Sequence, residues 1–254
     1  SLLYFCRKVA ERHTVALSGE CADEVFGGYP WFERSELLEA DTFPWCPDLE
    51  FRRAVVKPEL WESLQVEDYV QARYQQSLAE MPALPGEALW ERRRREVGWL
   101  SLNWFMSTLL DRKDRMSMAA GLEVRVPFCD HHLVEYVWNI PWAMKAMNGQ
   151  RKQVLRDAAE GLLPEELLRR PKSPYPKTHD PLYEQLVRAR LLTILDDRDA
   201  PIHSLVDETA LRAGLLSDAG DYGKPWFGQL MAGPQMLAYL IQINEWMSRY
   251  HLTV

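Results

Sequence analysis

Apolar residues recur along most of this chain at helical spacing. Leu2, Leu3, Phe5, Val9 and Ala10 form one stripe, with Arg7, Lys8, Glu11 and Arg12 on the other face, so the chain opens on a helix. The helix runs directly into TVALS, where Val15, Ala16 and Leu17 make a nearly continuous apolar run. That pattern predicts a parallel strand buried on both faces. YPWFERSELLEA predicts a helix starting near Pro30, and DTFPWCPDLEF, with its prolines, a loop. Helices rich in Glu and Gln are expected over 58–80, with Trp61, Leu64, Tyr69, Val70 and Tyr74 pointing inward. MPALPGE breaks them. Strong helical material runs from Glu87 to about Ala120, where Gly121 stops it.

LEVRVPF alternates apolar and charged residues and then meets Pro127, which predicts a short extended segment. Short helices follow in DHHLVEYVWNIP, RKQVLRDAAEGLL and PEELLRR, with a turn at MNGQ and a proline-rich loop at RPKSPYPKTHDP. Helices resume over about 182–195, 208–215 and 234–250, the last two joined by the turn-rich DAGDYGKPWFGQ. Helix dominates, and TVALS is the one good strand. A single strand cannot satisfy its own backbone groups. Together with an opening in mid-pattern at Ser1, this predicts the C-terminal part of a longer protein. A strand edge left open would make such a chain dimerise or aggregate.

Composition narrows the classes. A chain of 254 residues suits one large domain or two small ones, and 47% hydrophobic with 26% charged residues is ordinary for a soluble globular protein. No apolar run approaches the ~20 residues that span a bilayer, and no signal segment opens the chain. A net charge of −7 argues against a non-specific nucleic-acid surface. Cys6, Cys21, Cys46 and Cys129 form no CxxC pair or zinc spacing, so they read as reduced thiols of a cytosolic, cytoplasmic protein.

The candidate chemistry begins at TVALSGECADEVFGG, which crowds Glu20, Asp23 and Glu24 just past the strand. Open α/β sheets bind ligands beyond the carboxyl ends of their strands, where Ser18, Gly19, Glu20 and Asp23 fall. Solvent, nearby Lys or Arg, or a cation must offset the repulsion between the acids. A short helix with acids on its first turn, ended by Gly27 and Gly28, accounts for the pattern equally well. In DRKDRMSMAAGLEVRVPFCD, Asp111, Arg112, Asp114 and Arg115 alternate in sign, and Glu123 and Arg125 share one side of the extended segment. An ion-pair network explains that without a ligand. Lys152, Arg156, Lys172 and Lys177 offer cations to an anion or form a solvated face. The Arg92–Arg95 run reads as a solvated helix face paired to acids.

LSGECADEVFGGYPWF, DRMSMAAGLEVRVPFCD and RKQVLRDAAEGLLPEELLRRPK, in this order, resemble the synthetase domain of glutamine-dependent asparagine synthetases. The resemblance runs from about Thr14 to Lys172 and is weak over 35–95, a helical insert, and in the C-terminal helices. It implies that residues 1–254 are the C-terminal part of an α/β adenine-nucleotide α-hydrolase-like (ATP-pyrophosphatase) domain, mainly α with few strands. It implies an amide-forming ligase of amino-acid biosynthesis, in which Mg2+ and ATP adenylate aspartate and glutamine-derived ammonia gives asparagine, AMP and pyrophosphate. An N-terminal glutaminase (glutamine amidotransferase) domain with a Cys nucleophile belongs to that family and is not among these residues.

Carried over by motif, Ser18 and Gly19 contact substrate and nucleotide. Glu20 faces the reacting intermediate, orienting the amine or taking its proton, and Asp23 binds Mg2+. Glu123 and Arg125 shape the pocket floor, Lys152 is the catalytic cation, and Arg156 and Lys172 help hold pyrophosphate. Two departures stand out. Cys21 replaces the glycine usual after Ser-Gly-Glu, and the phosphate loop Ser-Gly-Gly-x-Asp-Ser occurs nowhere in the 254 residues. The chain thus carries about half of such a site and is expected to lack turnover alone. A β-lactam-forming or peptide-cyclising relative and a non-catalytic helical binding protein stay open as alternatives, although the retained Glu20 favours asparagine synthesis.

Overall fold

A computed structural model describes residues 2–146, 149–171, 181–216, 225–229 and 231–254. The apolar run of TVALS becomes β1 (Val15–Leu17), and the extended segment of LEVRVPF becomes β2 (Glu123–Arg125). They pair in parallel, with Val15 opposite Glu123, Ala16 opposite Val124 and Leu17 opposite Arg125. Glu123 N–H donates to the Thr14 carbonyl and Ser18 N–H to that of Arg125, each at 2.9 Å, closing the ladder at both ends. The neighbour that the lone strand required is therefore supplied 108 positions later in register. Burial on both faces is not observed. Leu17 is 75% and Val15 39% exposed, because among the described residues β2 is the only strand beside β1.

The chain divides into two compact units. The first comprises Ser1–Pro44 and Gln75–Pro171. Its opening helix (Leu2–Ala10) buries Cys6, whereas Phe5, expected on the apolar stripe, is exposed. The expected long helix is present as Leu89–Leu100 and Met106–Met118, joined without a break by a π-helical turn at Ser101–Phe105. The turn places Ser101 Oγ where it accepts from Trp31 Nε1 at 3.3 Å and donates to the Val97 carbonyl at 2.7 Å. Trp31 stacks on Tyr29 with centroids 4.2 Å apart, and both meet Phe105 edge-on. Instead of one helix near Pro30, a 3-10 turn (Pro30–Phe32) and a short helix (Ser35–Leu38) form. The arginine run pairs with acids as expected: Arg92 and Arg93 with Glu96, and Arg95 with Glu87. It is not a solvated face throughout, because Arg93 also donates to the Leu38 and Ala40 carbonyls and Arg95 is nearly buried.

The second unit comprises Trp45–Tyr74 and Lys172–Val254, so the segment 35–95 is shared between the two units. Its core gathers Leu191, Ile194, Ile202, Leu211, Met236 and Leu237, and the helices Pro181–Asp196 and Gly233–Tyr250 pack on each other. Trp61 and Tyr74 are buried as their spacing predicts, but Leu64 and Tyr69 are exposed. The reason is a break at Gln65, whose left-handed φ of 47° ends one helix and re-aims the next. Among the described residues no helix is long and apolar enough to cross a membrane. Lys172, Lys177 and parts of the MNGQ and DAGDYGKPWFGQ segments lie outside the described residues.

Candidate active site

At the carboxyl end of β1 the chain passes through Ser18, Gly19 and Glu20 and turns sharply at Cys21, which has φ 74°. A residue with a Cβ spends ~1–2 kcal/mol in that left-handed conformation. This is the backbone reason a glycine is favoured there, and it concerns the turn rather than room for a ligand. Cys21 is buried, and burial first, then the neighbouring Cys129, Glu24 and Glu20, push its thiol well above the usual range. It stays protonated and acts as a packed hydrophobe.

The turn starts the helix Ala22–Phe26, and here the three acids diverge. The Glu20 Oε1 lies 3.3 Å from Lys113 Nζ and 3.9 Å from Arg112 Nη2. Asp23 Oδ1 lies 2.8 Å from Lys152 Nζ. Glu24 turns into the interior, where the Tyr29 hydroxyl donates to it at 2.7 Å. Burial pushes the Glu24 carboxyl up, opposed by the Tyr29 hydrogen bond. The crowding of charge seen in the sequence is thus resolved by a separate partner for each acid.

The double glycine does more than end the helix. Gly27 has φ 71°, and a Cβ there would come within 2.4 Å of the Trp142 ring. A Cβ on Gly28 would lie 1.7 Å from Asp23 Oδ1 and 2.5 Å from Lys152 Cε. The bare Gly28 backbone is the floor across which Asp23 and Lys152 meet. Lys152 itself holds a left-handed φ of 58° at the start of the helix Gln153–Ala158. Strained backbone of this kind persists where surrounding contacts over-determine it. The preceding Arg151 supplies such a contact, donating to both Glu33 carboxylate oxygens at 2.7 and 2.6 Å.

Ser18, Gly19, Glu20, Asp23 and Lys152 therefore gather at one end of β1. Ser18 Oγ accepts from the Glu20 N–H at 3.3 Å. The other expected residues are placed differently. Glu123 and Arg125 pair with each other at 2.8 Å on an exposed edge of β2. The Arg156 guanidinium is engaged by the carbonyls of Arg151, Leu168 and Arg170 and ties down the turn after its own helix. Lys172 lies outside the described residues. Sequence reasoning missed Lys113 and the close approach at Gly28, and named Arg112 without its partner Glu20. The sign alternation in DRKDR reads as an ion-pair network tying a helix to a loop, and Arg112 and Lys113 on Glu20 form such a tie.

Among the described residues no group of three or more His, Cys, Asp or Glu side chains could enclose a metal ion. Asp23, the carboxylate that the motif assigns to a metal, has its Oδ1 held by Lys152 at 2.8 Å instead.

The family model described as asparagine synthase matches residues 1–248. The chain is 48% identical over 254 residues to asparagine synthetase [glutamine-hydrolyzing] 3 of Bacillus subtilis (strain 168), covering all of this chain and 41% of the relative. It is 31% identical over 206 residues to asparagine synthetase [glutamine-hydrolyzing] 1 of the same organism, covering 68% of this chain and 32% of the relative. A 67-residue stretch is 45% identical to the asparagine synthetase of Mesocricetus auratus. The chain thus spans well under half the length of these relatives. With a family model matched over nearly its whole length, the chain belongs to the asparagine synthase family.

Proposed function

We propose that this chain is the synthetase part of an ATP-dependent amide-forming ligase that makes asparagine from aspartate. A side-chain carboxylate oxygen of aspartate attacks the α-phosphorus of ATP, and the bond to pyrophosphate breaks. Ammonia, released from glutamine elsewhere in the full-length protein, then attacks the acyl carbon. AMP departs and the nitrogen loses a proton. The observation that carries this reading is the Asp23–Lys152 pair across Gly28, at the carboxyl end of a parallel strand.

Lys152 supplies a fixed cation where charge grows on the α-phosphate and the departing pyrophosphate. Asp23 is the carboxylate that would hold a magnesium ion, which when bound offsets negative charge on the phosphates. Glu20, three residues before Asp23, orients the amine or takes its proton. Ser18 and Gly19 bring the backbone close to the nucleotide. The 254 residues alone are expected to be without turnover, since they carry no phosphate loop.

The test is aspartate-dependent ATP–pyrophosphate exchange in the full-length polypeptide. Lys152→Ala should abolish exchange with the fold intact, and Asp23→Asn should raise the magnesium concentration needed. Near-normal exchange in Lys152→Ala overturns the assignment.

A further inference from the structure

Lys113 is not one of the residues the motifs single out, yet it holds the reacting acid. It projects from the helix Met106–Met118, which leads through Gly121 into β2. The strand pairing that brings β2 beside β1 therefore also delivers Lys113 to the end of β1. Its side chain is 12% exposed and its ammonium lies 3.3 Å from Glu20 Oε1. Arg112 reaches the same oxygen at 3.9 Å, but its side chain is 52% exposed and screened by water.

The two oxygens of Glu20 differ sharply. Oε1 is tethered to a shielded cation, whereas Oε2 is buried and accepts no hydrogen bond among the described residues. A buried acceptor with no donor is costly, and a ligand N–H that fills it recovers that cost. An arrangement of this kind leaves one oxygen of the carboxylate without a donor and fixes the direction of the group by holding the other.

We propose that Lys113 is the positioning residue for Glu20: it pins Oε1 and so fixes the direction of the carboxylate that serves the ammonia attacking the acyl carbon. This rests on the reading above, in which Glu20 serves the amine step. Without Lys113 the carboxylate turns on its own side-chain torsions. The amine step then slows while adenylation, which depends on Asp23 and Lys152, continues.

The experiment measures both half-reactions in the full-length polypeptide for Lys113→Met, Lys113→Arg, Glu20→Gln and the double variant Lys113→Met/Glu20→Gln. Lys113→Met is expected to lower kcat for asparagine formation from ammonia by roughly 10- to 100-fold, the scale of a misplaced catalytic group. Exchange and the KM for ATP and aspartate should stay within about two-fold, a ratio small beside that loss. Lys113→Arg should restore much of the rate. Lys113→Met should cost nothing further once Glu20 is Gln. A parallel fall in exchange and synthesis, full activity in Lys113→Met, or additive losses in the double variant would each overturn the positioning role. If Glu20→Gln itself synthesises asparagine normally, the reading of Glu20 fails first; if it is dead and Lys113→Met is normal, only the role of Lys113 fails.

Discussion

Gly28→Ala adds one methyl group at the point where the proposed catalytic pair meets. The new Cβ would stand 1.7 Å from Asp23 Oδ1, 2.7 Å from Asp23 Cγ and 2.5 Å from Lys152 Cε. To restore even a tight separation of 3.0 Å, the Asp23 oxygen must recede by about 1.3 Å. The backbone cannot retreat instead, because the Gly28 N–H is bonded to the Asp23 carbonyl at 2.8 Å. The relief must come from rotation of the carboxylate and withdrawal of Lys152, which breaks their 2.8 Å contact. Both are ends of rotatable side chains, so the fold should lose only ~1–2 kcal/mol, the low end of overpacking. A catalytic group displaced by ~1 Å costs on the order of 100-fold in rate.

Gly27→Ala is the control. Its methyl group meets the Trp142 ring at 2.4 Å from a left-handed φ of 71°, away from the pair. It should destabilise more, by ~2–4 kcal/mol from overpacking and backbone strain together. The protein that remains folded should still exchange pyrophosphate. The expected result is a crossing of effects, measured by thermal unfolding and ATP–pyrophosphate exchange on the full-length polypeptide. Gly28→Ala should lose ~1–2 kcal/mol of stability and about 100-fold in rate, and Gly27→Ala more stability and little rate. If Gly28→Ala is folded and fully active, the Asp23–Lys152 contact is not what the reaction uses.

Two further expectations follow from buried ionisable groups. Lys145 is 9% exposed in a recess with Glu91, Arg95, Trp138 and Trp142, and burial, then Arg95, pull its ammonium from 10.5 down to about 8. A lysine depressed in the fold destabilises below pH 8, and that cost fades as pH rises towards 10.5. At 1.36 kcal/mol per pH unit the full cost is about 3 kcal/mol. Lys145→Met should therefore stabilise by up to that amount at pH 7 and by roughly half as much at pH 9.5 in urea unfolding; a gap independent of pH would refute it. Tyr29→Phe removes the hydroxyl on buried Glu24 and should cost ~1–3 kcal/mol at pH 8. The loss should shrink as pH falls and the carboxyl, already pushed up by burial, takes a proton. A loss that does not change as the carboxyl takes its proton would mean that the hydrogen bond does not depend on the charge of Glu24.

What the sequence made legible follows from the range of the interactions involved. Helix positions came from local periodicity, and Gly121 marked a stop through chemistry within a few residues. The pairing of β1 with β2 was invisible because nothing in TVALS names a partner 108 positions away; only the unmet backbone groups announced that one was needed. The site divides along the same line. Ser18, Gly19, Glu20 and Asp23 fall within six positions and were read from one motif, and Lys152 came with another. How each acid is neutralised depends on which helix folds over which strand, so no local pattern could assign Lys113 to Glu20 or Lys152 to Asp23. Gly28 shows the limit most plainly. As a letter it looked like a helix stop, a role that Gly27 with its φ of 71° already fills. Its own reason is spatial: it is bare because two side chains distant in sequence meet above it. A glycine left over once the turn is accounted for is thus a sign of close approach, and here it marks the contact on which the proposed chemistry depends.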